Sequence, residues 1–136
     1  MAVFTLTNAY LSVNSVDLSD HVTSVTIDTG AEEIDTTAMS SGGWKSNTGG
    51  LKNWSIQVNF QQDFASSKVD ATIWPLLGST TTVVVKPVNT TVSATNPSYT
   101  GTVLVNAYSP VANGVGELAT VEVTWPGSGA LARATS

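Results

Sequence analysis

In the stretch NWSIQVNFQ, Trp54, Ile56, Val58 and Phe60 fall on one parity and Asn53, Ser55, Gln57, Asn59 and Gln61 on the other. Alternation with period two predicts an antiparallel strand with one face buried and one in water. The segment ELATVEVTW repeats the pattern, setting Ala119, Val121, Val123 and Trp125 against Thr120, Glu122 and Thr124. Shorter runs predict strands over 9–13, 23–28, 80–86 and 99–108; the third contains TTTVVV, a β-branched run suited to a central place in a sheet. Asn14, Gly30, Asn96-Pro97 and Asn113-Gly114 mark the breaks between them. Six or more short strands in 136 residues point to one mainly β domain, residues 1–136, built as an antiparallel sandwich or barrel.

One segment departs from this rhythm. In DFASSKVDATIWPLLG the apolar positions Ala65, Val69, Thr72 (through its methyl), Ile73 and Leu76 fall at helical spacing. This predicts a single flanking helix of about three turns, with Asp63 or Ser66 as N-cap, Pro75 tightening the last turn and Gly78 as the stop. Such a helix packs across an open end or face of the sandwich.

Composition changes the picture of the surface. Apolar residues make up 41% of the chain but charged residues only 11%, against roughly 25% in ordinary soluble domains. A surface so poor in charge is often covered by partners or by copies of itself. The net charge of −5 argues against wrapping nucleic acid through phosphate neutralisation, which needs clustered Lys and Arg. The absence of cysteine excludes a disulfide scaffold and thiolate chemistry. MAVFTLTNAY has no basic leader region and no run of about 18 apolar residues occurs, so the expectation is a protein made and kept soluble in a cytoplasm, with no membrane partner.

The catalytic inventory is thin, and the expectation is a non-enzyme with no catalytic residue and no cofactor. His21 is the only histidine. Its neighbours Ser19 and Asp20, placed on a strand, would point to opposite faces and could not form a triad with it, so His21 reads as a turn or strand-edge residue. No HExxH, Walker A or GxSxG pattern is present. Asp28, Glu32, Glu33 and Asp35 form an acidic run, but DTGAEEID lacks the alternating ligand spacing of a calcium loop. The run reads as a solvated strand end, or as an interface to which a partner brings cations. Asn89-Thr90-Thr91 matches a glycosylation triplet and reads as a loop.

Residues 38–53, AMSSGGWKSNTGGLKN, are a long Gly/Ser-rich loop around Trp44, the one tryptophan out of place for a core. An aromatic anchor on a loop that resists ordering suggests a docking arm. In that reading Trp44 is buried by a neighbour, while Lys45 and Lys52 meet Glu32, Glu33 or Asp35 of that neighbour.

Taken in order, VDLSDHVTSVTI, AEEIDTTAM, GGLKNWSIQVNFQQDF, VDATIWPLLG, SATNPSYTG and GELATVEVTW resemble the pattern of tail tube (major tail) proteins of long-tailed bacteriophages, in particular those of actinobacterial phages. The likeness covers nearly the whole chain and lies in the joint order of these segments, none of which is a catalytic motif. It implies a tail-tube β-sandwich with a flanking helix that self-assembles into hexameric rings. The rings would stack into a tube, with inner strands of six subunits joined into a continuous barrel through which DNA is ejected into the host. It further implies tape-measure protein and DNA in the lumen, tail terminator and baseplate or tip proteins at the ends, assembly in the host cytoplasm and residence in the virion tail. The loop 38–53 sits where the family keeps a loop that orders against neighbouring rings. Six copies at −5 would carry a formal −30 per ring, repelling phosphate from the wall. Two alternatives stay open. One is another phage ring protein: a head-tail connector, tail terminator or decoration protein. The other is a carbohydrate-binding sandwich stacking sugars on Trp44 with Tyr10 or Tyr108.

Overall fold

The structure, a computed structural model, describes residues 3–136, Ser41 through its backbone only. Strands β1 (Tyr10–Val13), β2 (Val16–Asp17), β5 (Thr80–Lys86), β6 (Ser98–Leu104) and β8 (Ala132–Ala134) form a sheet in the order β2-β1-β5-β6-β8. A second sheet, in the order β3-β4-β7, contains β3 (Val22–Asp35), β4 (Asn47–Gln61) and β7 (Thr120–Pro126). Every pairing is antiparallel. Among the described residues the protein is thus mainly β, with two sheets and one short α-helix.

The alternation that predicted the strands builds the core. Register sets Val58 between Val25 and Val123, and Ile56 between Ile27 and Trp125. Phe60, Ile56, Val58 and Trp125 have no exposed surface, and they face Leu11, Val13, Val83, Val85 and Val103 of the other sheet. Each such side chain contributes about 1.5–3 kcal/mol on leaving water. The TTTVVV strand lies centrally, between β1 and β6. Asn14 (φ 52°) and Ser15 (φ 67°) make the left-handed two-residue turn that joins β1 to β2.

Several expectations are corrected. The helix α1 spans only Val69–Ile73 and runs straight into a 3-10 turn over Trp74–Leu76. Asp63 and Ser66 do not cap it. Lys68 takes that place without a side-chain bond, because Ser67 is left-handed (φ 62°) and the Asp63 carboxylate is engaged by the Ala65 amide and His21. Gly78 does end the segment at φ +86°. Trp44 is not the one tryptophan outside the core, since Trp74 is 55% exposed and tilted against Tyr108. Gly30 is no break; β3 runs through it, paired with Asn53. The strand expected over 99–108 stops at Leu104, since the chain beyond is drawn off by the bonds Val105 N–H to Ser79 O and Trp125 Nε1–H to Ala107 O. The last long strand begins at Thr120 rather than Glu117, and β2 and β8 lack a readable pattern in sequence.

The two sheets meet where Trp54 closes the sandwich. Its Nε1–H donates to Gly129 O at 2.9 Å, and its ring lies so close to Gly101 and Gly127 that a β-carbon there would approach it to 2.5 and 2.2 Å. Glycine is required at both positions by space, not by backbone angle.

Candidate assembly interface

The last seven residues of the segment expected to be a loop, 47–53, are strand. From Gly30 paired with Asn53 to Asp35 paired with Asn47, β3 and β4 continue past the core as a two-stranded arm. Glycine and serine content suggested a loop, yet Thr48, Leu51 and Lys52 keep the extended backbone that cross-strand pairing rewards. A register shift between Ala31 and Glu33 bends the arm. At ~3.3 Å per residue, the paired part projects roughly 20 Å.

The tip is closed by short polar bonds. Thr36 N–H donates to Ser46 O at 2.8 Å, Ser46 N–H to Thr37 Oγ1 at 2.8 Å, and Thr37 N–H to Asp35 Oδ1 at 2.8 Å. Hydrogen bonding from Thr37, its side chain first and its amide second, holds the Asp35 carboxyl below the usual aspartate range. Gly42 (φ +72°) and Gly43 (φ +88°) then take the left-handed conformations that turn the chain after the 3-10 turn Met39–Ser41.

The arm carries several large apolar residues outside the core. Trp44 is 79% exposed, Leu51 76%, Ile34 45%, and Met39 is wholly exposed. Alternation along β3 sets Glu32 and Ile34 on one face and Glu33 and Asp35 on the other. Glu32 Oε2 accepts a long bond from Leu51 N–H at 3.4 Å. Among the described residues the ion pairs are His21 with Asp20 and Asp63, and Lys68 with Asp20; neither Lys45 nor Lys52 takes part in one. The proposed contact residues Glu32, Glu33, Asp35, Trp44, Lys45 and Lys52 therefore lie together on one projecting element, each exposed. Sequence reading missed Ile34, Met39 and Leu51 there, although their apolar character inside a Gly/Ser-rich stretch was a usable signal.

Two further features surround the arm. Among the described residues β3 and β7 are the edge strands of their sheet, and the strand each of them pairs with is β4. The solvent face of this sheet, read from register, presents Ser24, Thr26, Asp28, Ser55, Gln57, Asn59, Glu122 and Thr124. Amides and hydroxyls dominate, knitted by Gln57 Nε2–H to Glu122 Oε1 (2.6 Å) and Asn59 Nδ2–H to Ser24 Oγ (2.8 Å), and no Lys or Arg stands among these residues.

No catalytic arrangement gathers at His21. Asp20 and His21 lie in a 3-10 turn (Ser19–His21), so their side chains meet, contrary to the strand-based expectation. Both ring nitrogens contact carboxylates, and Ser19 Oγ–H is given to Asp17 Oδ1 at 2.5 Å. The tyrosines suggested as partners for Trp44 in sugar stacking are engaged. Lys86 Nζ lies 4.5 Å over the Tyr10 ring, and Tyr108 O–H donates to Asp70 Oδ1 at 2.8 Å. Burial, chiefly, raises the Tyr108 hydroxyl to about 12. Among the described residues no group of three or more His, Asp or Glu side chains could hold a metal ion, and no helix is long and apolar enough to cross a membrane.

No protein-family model matches the chain, and neither does any curated protein. Among solved structures, a chain in the virion of a native gene transfer agent (GTA) particle is similar at 17% identity. The likeness covers 93% of this chain and 95% of that one, with a TM-score of 0.74. A chain in the tail of an empty GTA particle with C6 symmetry is similar at 20% identity, over 82% and 81% of the two chains, with a TM-score of 0.65. The chain has the fold of a GTA tail chain. At these identities the likeness is one of fold, and it extends over most of the chain.

Proposed function

We propose that this protein is the structural subunit of a phage-type tail tube, assembling with itself into sixfold rings that stack around a channel for DNA. The observation that carries the reading is the likeness of fold to a chain of a GTA virion, over 93% of this chain, and to a chain of a C6-symmetric GTA tail, over 82% of it. The order of sequence segments that resembles tail tube proteins points the same way.

The surface supplies a physical route. Edge strands of a monomer expose unpaired backbone groups, and ring closure turns them into intersubunit bonds. β3 of one copy pairing with β7 of the next would join six three-stranded sheets into one barrel. The cation-free face of that sheet, bearing Asp28 and Glu122, would then form the lumen wall, along which a phosphate backbone slides without counterion-releasing contacts. The arm would reach a neighbouring ring, burying Trp44 and Leu51 and pairing Lys45 and Lys52 with Glu32, Glu33 or Asp35 of another copy. In this reading the protein is non-enzymatic, resides in the virion tail after assembly in the host cytoplasm, and contacts tape-measure protein within the tube and terminator and baseplate or tip proteins at its ends.

Negative-stain microscopy of the purified protein at high concentration tests the proposal. Long tubes of stacked rings are expected. Single rings would point to a connector or terminator, and glycan binding by a persistent monomer would point to the sugar-binding reading.

A further inference from the structure

His21 lies immediately before β3, and Asp63 two residues after the end of β4. Val22 pairs with Phe60, so these two side chains meet at the end of the β3–β4 hairpin opposite the arm tip. The imidazole Nδ1 is 2.7 Å from Asp20 Oδ1 and Nε2 is 2.8 Å from Asp63 Oδ2, with only 15% of the side chain exposed. Ionised carboxylates accept hydrogen bonds and donate none, so both contacts require N–H on both nitrogens, a state only the imidazolium has. A neutral ring would satisfy one carboxylate and turn a lone pair on the other.

The surrounding charges favour that state. Lys68 Nζ lies 3.5 Å from Asp20 Oδ2, stabilising the anion. Asp17, the remaining titratable group beside the turn, is bonded to the Ser19 amide and hydroxyl. Asp63 also accepts from Ala65 N–H at 2.9 Å, and its carbonyl accepts from Asp70 N–H at 3.1 Å, so it links His21 to the segment entering α1.

We propose that His21 is a charged clasp. As an imidazolium bridging Asp20 and Asp63 it locks the base of the β3–β4 hairpin to the α1 entry, and it releases that segment when it loses its proton. Hydrogen bonding to Asp20, opposed by burial and reinforced by Asp63, raises the His21 pKa, while both carboxyls are lowered. The sign follows. The histidine's contribution is complete below its ordinary 6.5 and fades as pH rises through its higher folded value. The carboxylates' contribution is complete above their ordinary 3.8 and fades as pH falls through their lower folded values. The clasp is therefore strongest between about pH 4 and 6.5.

Because the chain has one histidine, 15N-labelled histidine gives an unambiguous NMR titration, in solution or in sedimented assemblies. Both ring nitrogens protonated at pH 6 and a midpoint above 6.5 are expected, with Asp63→Asn lowering that midpoint. Protection of the Ala65 and Asp70 amides against exchange, corrected for intrinsic rates, should fall as pH rises through the transition. A neutral ring at pH 6, or unchanged protection at both amides across the transition, would overturn the proposal. The wild-type titration stands even if the variant fails to fold.

Discussion

A β-carbon at Gly127 would sit 2.2 Å from the Trp54 indole, whereas one at Gly116, though its φ is +87°, would meet open space. Gly127→Ala must therefore displace a core tryptophan together with its bond to Gly129, and we expect a loss of about 3 kcal/mol or more in urea unfolding. Gly116→Ala bears only backbone strain, on the order of 1 kcal/mol. Equal losses would contradict the account of Trp54 as the closure between the sheets. Trp44 is the opposite case, since its ring contributes little within a single copy. Trp44→Ala should leave the unfolding midpoint nearly unchanged, within roughly 0.5 kcal/mol, and abolish tube formation in sedimentation. A destabilised monomer would show instead that the indole packs within its own chain.

Among the elements, β3 and β4 decide most of the functional reading. Replacing residues 33–49 by a two-residue turn removes the arm and leaves every buried core residue in place. The shortened protein should fold with native near-ultraviolet dichroism and remain monomeric at concentrations where the parent polymerises; tubes from it would remove the arm from assembly. The inward faces of β4 and β7 were legible in sequence because a half-buried strand writes its burial as period two, whereas β5 was legible only as a β-branched run. The arm was not, because both of its faces are in water and pairing there depends on backbone bonds that leave no hydrophobic signature. The helix was overestimated for a related reason. Ala65 falls at helical spacing, yet it is exposed in a turn that Asp63 and Ser67 organise through bonds and backbone angles invisible to spacing. Of the site, the residue set was readable and its arrangement was not. Trp44 and the lysines stood out by composition, whereas the open edges of β3 and β7 emerge only from the strand order.

For the whole molecule, low charge, two open edges and an apolar arm are liabilities in a solitary protein and assets in a polymer. A net charge of −5 keeps single copies apart weakly, and their mutual repulsion is screened within about 10 Å at 0.1 M salt. Polymerisation should accordingly quicken as salt rises from 20 to about 200 mM, followed by light scattering; slowing would mean that the Lys45 and Lys52 pairings outweigh net repulsion. The most direct measurement is a cryo-electron microscopy reconstruction of the assembled protein. The account predicts a sixfold tube in which β3 of each subunit runs beside β7 of the next and Asp28 and Glu122 face the lumen. A tube whose inner wall is the β2-β1-β5-β6-β8 sheet, or a protein that stays monomeric at every concentration, would contradict it.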